Sequence, residues 1–170
     1  MDSEDVAETV LDMRHEVITE MVHGAIPETA YAEQWNIAAL KAEVQTVLGL
    51  DLPLEDWAKE EGIAHEEILD RVLKASDTRM NEKRARAGEK FFAQIEKSFV
   101  LRLLDQQWKE HLLHLDHLRQ GINLRAFAQR DPLNEYKAEA FNLFESMMNR
   151  LRVAIVQNLS LVEINIDEKA

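Results

Sequence analysis

Two stretches decide the fold: residues 100–118, VLRLLDQQWKEHLLHLDHL, and residues 141–159, FNLFESMMNRLRVAIVQNL. In the first, Val100, Leu104, Trp108, His111, Leu115 and Leu118 follow one another at steps of three or four. In the second, Phe141, Phe144, Met148, Leu151, Ile155 and Leu159 do the same. Such steps keep side chains on one face of a helix with 3.6 residues per turn. Two apolar stripes joined by a short link predict an antiparallel helical hairpin. At 1.5 Å per residue each arm is about 40 Å long.

The link between the arms is punctuated. Gly121 is expected to end the first arm, and Asp131-Pro132 to start the second as N-cap and first helical residue. Between them Ile122, Leu124 and Phe127 lie among arginines. Two readings stand: the three side chains plug the end of the hairpin, or Phe127 at least is exposed as a contact point.

Working outward toward the N-terminus, residues 4–23 read as a helix, with Val6, Val10, Met13, Val17 and Met21 on one stripe and stop signals at Gly24 and Pro27. Its wide apolar face suggests the end of a longer helix. A polar connection with a short helical turn leads to Trp35, and Ile37, Leu40, Val44, Val47 and Leu48 mark a helix closed by Gly49. Asp51-Leu52-Pro53 is an extended link, and a brief helix anchored by Trp57 follows. From His65 the pattern is helical again and is expected to pass Gly88 with only a soft break, since one glycine costs a helix about 1 kcal/mol. Only residues 161–166 alternate like a strand. The expected fold is all-α, a small helical wing followed by a long antiparallel two-helix hairpin. The boundary falls between residues 1–88 and 89–170.

The net charge of -12 is unevenly placed. Residues 1–78 hold 19 acids and 5 bases, whereas residues 79–130 hold 11 bases and 6 acids. An acidic chain is a poor nucleic-acid ligand. No acid occurs from residue 117 to 130, where Arg119, Arg125 and Arg130 make the tip positive. Such a tip suits an acidic protein surface or anionic lipid headgroups. No apolar run reaches the roughly 18–20 residues of a membrane span, and the acidic start lacks a secretory signal core. The absence of cysteine excludes disulfides and zinc thiolates.

Candidate chemistry is sparse. His111, His114 and His117 are three apart, yet such a row drifts around a helix and His111 lies on the apolar stripe, so a packed histidine is the simpler reading. None of the five glycines opens a phosphate-binding loop, and no nucleophile elbow or zincin helix is present. The basic run Arg79, Lys83, Arg84, Arg86 and Lys90 reads as a solvated helix face. No catalytic residue and no metal ligand are expected.

The run Leu104-Asp105-Gln106-Gln107-Trp108-Lys109-Glu110-His111-Leu112, then Asp116-His117-Leu118-Arg119-Gln120-Gly121-Ile122, then Asp131-Pro132 and Glu135-Tyr136-Lys137 closely resembles the two-helix finger of the SecA family of preprotein translocase motor ATPases. Trp35, Asp51-Leu52-Pro53 and Trp57 fall in the order of that family's helical wing. The resemblance implies a C-terminal regulatory and mechanical part of a motor that couples ATP hydrolysis to preprotein movement through the SecY channel. It implies ATP and Mg in the parent, with no cofactor in this chain and zinc only where a cysteine-rich tail is present. Partners would be the SecY complex, unfolded preproteins and the parent's own motor domains, at the cytoplasmic face of the inner membrane.

By position, the resemblance assigns the tip that touches preprotein and channel to Gly121, Ile122, Asn123, Leu124 and Arg125, continuing through Ala126, Phe127, Ala128 and Gln129. It assigns restraint of the ATPase to Trp108, His111, Asp116 and Arg119 on the first arm. Phe127 stands where the family usually has tyrosine, and Ala126 where glycine is common. A rival reading makes the chain a free-standing helical adaptor that binds partner helices, or a second copy as a homodimer, through the stripe of residues 6–22.

Overall fold

The computed structural model describes residues 3–125 and 131–164, with the side chains of Ser3 and Arg125 excepted. Among the described residues there are six α-helices and no strand. They are α1 (Ser3–Ala25), α2 (Ile37–Glu43), α3 (Leu54–Ala58), α4 (His65–Ala87), α5 (Glu89–Arg125) and α6 (Pro132–Leu161). A 3-10 turn at Ala32–Gln34 precedes Trp35, and a π-helical turn at Val44–Leu48 continues α2. Gly49 ends that turn in the left-handed region at φ 65°, which explains why the helix stops at a glycine. Residues 162–164 are irregular, and residues 165–166 of the alternating segment lie outside the described residues.

Helices α5 and α6 are the two arms. Arg150 Nε donates to Gln107 Oε1 at 3.4 Å, and the His111 and Phe144 rings meet at 5.9 Å. Numbers rise along one arm as they fall along the other, so the arms are antiparallel. At 1.5 Å per residue they extend about 55 and 45 Å. Asp131 caps α6 as expected, accepting from the Asn134 backbone N–H at 3.3 Å ahead of Pro132 in the first turn.

Two apolar cores share α1 and α6. The first joins Val17, Ile18, Met21, Val22 and Ile26 to Leu40, Val44, Leu48, Leu54, Ile68, Val72 and Val156. Trp35 and Trp57 pack against it, with the Arg71 guanidinium 5.3 Å above the Trp57 ring. The second joins Val6 and Val10 to Met80, Phe92, Leu103, Leu151, Ile155 and Leu159. Both halves of the α1 stripe are therefore consumed inside the chain. This corrects the expectation of a free apolar face at residues 6–22: the adaptor and homodimer readings lose the surface on which they stood.

The join between α4 and α5 also departs from expectation. Gly88 takes φ 89° and ψ 141°, a conformation that ends the helix instead of bending it softly. The turn swings Phe92 into full burial and brings Glu96, 1% exposed, to Arg84 at 2.5 Å. Burial raises the Glu96 carboxyl above its usual value, and the charge and hydrogen bond of Arg84 pull against that rise. Within the basic run, Lys83 is similarly employed: its Nζ donates to the carbonyls of Leu159 and Ser160 at the C-terminus of α6. Burial, helped by Arg79, pulls Lys83 down to about 8. Arg79, Arg86 and Lys90 are exposed, as a solvated face requires.

A third polar tie locks α1 to α4. Arg14 donates to Ser76 Oγ at 2.8 Å and to Asp77 Oδ1 at 2.6 Å, and His15 Nε2 lies 2.8 Å from the same Asp77 oxygen. Burial alone would raise the Asp77 carboxyl, but the bonds from His15 and Arg14 outweigh it and hold the group below its ordinary value.

Candidate functional site

The hairpin turns inward most of the α5 row that the spacing indicated, Val100, His111, Leu115 and Leu118, but not Leu104 and Trp108. Leu103, His111 and Ile122 are buried, with Gln107, Leu115 and Leu118 half-buried between them. Leu104 and Trp108, expected on the inner stripe, are 39% and 44% exposed. The reason lies in paired leucines: Leu103 and Leu104 each begin a row at helical spacing that reaches His111. In the structure Gln107 faces the second arm, where Arg150 donates to it, and the indole of Trp108 lies at the edge.

The outcome is an outward apolar row, Leu101, Leu104, Trp108 and Leu112, all exposed and spaced three, four and four. It runs about 16 Å along one face of α5. Leu113 is exposed beside it, and Phe141 and Phe144, expected inside, are exposed on α6 at 62% and 41%. Trp108 and Phe144 both contact His111, with ring centroids 5.4 and 5.9 Å away. His111 itself is 3% exposed, so it packs as a bridge between the outward aromatics. Large apolar side chains aligned on the outside of a helix mark a contact surface when they form a row instead of being scattered singly.

The distal end of the arm corrects a second expectation. Gly121 does not end α5; the helix continues through it to Arg125. Ile122 is 6% exposed on the inner row, and its burial offsets the roughly 1 kcal/mol that a mid-helix glycine costs. Asn123 and Leu124 are exposed, Leu124 at 73%, so of the apolar residues expected near the tip Ile122 is a plug and Leu124 is not. Ala126, Phe127, Ala128 and Gln129 lie outside the described residues. Asp116 accepts from Arg119 at 3.4 Å and Gln120 at 3.5 Å on an exposed surface of the same turn. Asp116 and Arg119 share a shallow cleft with Leu112, Leu115 and Tyr136.

Of the residues assigned to the restraining arm, Trp108 and His111 touch each other, whereas Asp116 and Arg119 form a separate polar pair farther along. Sequence reasoning missed Leu101 and Leu112 as surface residues. The signal was present: α5 carries more leucines than one stripe can bury. His114 and His117 are exposed, and among the described residues no group of converging metal donors includes the row they form with His111. No described helix is long and apolar enough to cross a membrane.

Helices α2 and α4 pack on α1 beside the antiparallel pair α5 and α6, and a comparison of the sequence with family models assigns the whole to one family. Residues 1–163 match the model described as the SecA Wing and Scaffold domain. The chain belongs to the SecA wing and scaffold family.

Proposed function

We propose that this chain is the regulatory and mechanical part of a SecA-type preprotein translocase motor. In this reading the outward row of α5 docks on the parent's ATP-hydrolysing domains and restrains them. The tip, from Gly121 through Phe127 to Gln129, works against preprotein at the mouth of the SecY channel. The observation that carries the reading is the row Leu101, Leu104, Trp108 and Leu112, which stands exposed along one face of α5. The chain supplies no catalytic residue of its own; ATP and Mg act in the parent.

Family membership supports the translocation context, and the charge pattern supports the placement of the tip. Arg119 is exposed, and Arg125 and Arg130 follow with no acid between residues 117 and 130. That charge suits an acidic channel rim or anionic lipid, and so a peripheral position at the inner membrane.

Two variants of the intact motor separate the roles. Trp108→Ser is expected to raise basal ATP hydrolysis several-fold by loosening the docked arm, with the fold of the wing unchanged. Phe127→Ala is expected to lower preprotein transport while leaving basal hydrolysis as it was. Unchanged hydrolysis in the first would remove the restraint from the account, and normal transport in the second would remove the working tip.

A further inference from the structure

We propose that the wing carries a zinc-binding site formed by His23, Glu28 and His65. Their three ligand atoms lie within 4.8 Å of one another. The residues come from three places that the fold fixes independently. His23 is in the last turn of α1, immediately after buried Val22. Glu28 is in the following turn, which is pinned by backbone bonds from Ile26 to Val22 at 2.7 Å, Ala30 to Pro27 at 3.0 Å and Asn36 to Ala25 at 3.0 Å. His65 is the first residue of α4, whose next turn buries Ile68 in the same core as Val22 and Ile26.

His65 is the observation that turns proximity into a site. It is 7% exposed, and neither of its ring nitrogens has a hydrogen-bond partner in the protein. A buried imidazole normally satisfies at least one nitrogen, because an unpaired buried polar atom is costly. Here the ring lies against that of His23, centroids 4.6 Å apart and tilted by 36°, and His23 Nδ1 is 3.9 Å from Glu28 Oε1. Two imidazoles and a carboxylate are the donor set of open zinc sites, which complete a tetrahedron with water. Without thiolate the set is of borderline hardness and disfavours magnesium or calcium, which seek oxygen-rich shells.

Tetrahedral bonds of about 2.0–2.2 Å put ligand atoms about 3.3 Å apart, so the present spacing must contract by up to about 1.5 Å. The two residues that would move are free to do so: the side chains of His23 and Glu28 are 40% and 70% exposed. His65 is the fixed anchor. The macrodipoles oppose each other, the negative end of α1 favouring a cation and the positive end of α4 disfavouring it, so Glu28 supplies the decisive charge. Once loaded, the ion would tie the end of α1, its turn and the start of α4 into one unit and stiffen the wing where it meets the scaffold helix.

The test uses the 170-residue chain, whose lack of cysteine removes competing thiolate sites. Metal-free protein is titrated with zinc chloride against a chromogenic chelator, with circular dichroism as the check on folding. One zinc per chain is expected, with affinity reduced about ten-fold or more by Glu28→Gln, by His23→Gln and by His65→Gln. His114→Gln/His117→Gln should bind as the parent does, and excess magnesium should not displace the ion. Should His65→Gln misfold, the two exposed positions still decide the matter. Absence of stoichiometric zinc at micromolar free metal would overturn the proposal, as would full affinity in both Glu28→Gln and His23→Gln.

Discussion

Replacing Arg84 with methionine removes the cation that faces Glu96, the most deeply buried carboxylate among the described residues. Glu96 is 1% exposed and the Arg84 side chain 24%. Removing one partner of a buried pair costs roughly 3–5 kcal/mol when the remaining charge must stay. Glu96 has an escape, because it can take up a proton. Folding with a neutral carboxyl in place of an ionised one costs 1.36 kcal/mol for each pH unit above the ordinary value of 4.5. That limit is about 3 kcal/mol at pH 7 and under about 1 kcal/mol at pH 5.

The guanidinium also lies 4.8 Å over the Phe92 ring, a contact worth about 0.5–1 kcal/mol at any pH. Arg84→Met is therefore expected to lose about 2–4 kcal/mol at pH 7 and about 1–2 kcal/mol at pH 5, the difference being the pH-dependent part. The sign follows from linkage. A carboxyl whose folded value is raised contributes less stability as pH climbs from 4.5 through that value, and loss of Arg84 extends the window upward. Urea unfolding followed by circular dichroism at the two pH values measures both numbers. Arg84→Met/Glu96→Leu should regain most of the loss, since an apolar replacement of the whole pair leaves no orphan charge. A penalty equal at both pH values, or larger at pH 5, would refute the reasoning.

Three further outcomes follow from the same contacts. Gly49→Ala should cost about 1–2 kcal/mol in urea unfolding, because φ is 65°; the added Cβ would also lie 2.9 Å from Leu161 Cδ2, but that exposed methyl can move aside. Asp77→Asn should cost about 1–2 kcal/mol near pH 7, a charged bond discounted for a side chain 38% exposed. Because the folded Asp77 value is depressed, the cost should be fully present above about pH 4 and vanish as pH falls through that lower value. Asp131→Ala should remove the cap of α6 and cost about 1 kcal/mol, seen as a lower melting temperature.

Much of the architecture was legible because local signals agreed with one another. Asp131-Pro132 starts α6, Gly49 stops the turn after α2, and the helical spacing of α1 marks the stripe that the two cores consume. The register of α5 was not legible. Leu103 and Leu104 open rival rows of equal quality, and only the packing of Leu103 in a core with Leu151, Ile155 and Leu159, residues distant in sequence, separates them. Gly121 misled for a similar reason: a glycine is a helix end only when nothing beyond it needs the helix, and Ile122 does. Gly88 misled in the opposite direction, since its positive φ serves Phe92 and the Arg84–Glu96 pair, neither of which spacing reveals. The row that carries the functional reading was therefore visible as an excess of leucines, while its outward direction had to come from the packing.

The most direct test of the docking claim is a photocross-link from the outward row within the intact motor. A photoreactive residue at Leu112 is expected to join the finger to the ATP-hydrolysing domains of the same chain, and the same residue at exposed His114, on a different face of α5, is not. Equal cross-linking from both positions, or none from Leu112, would contradict the account.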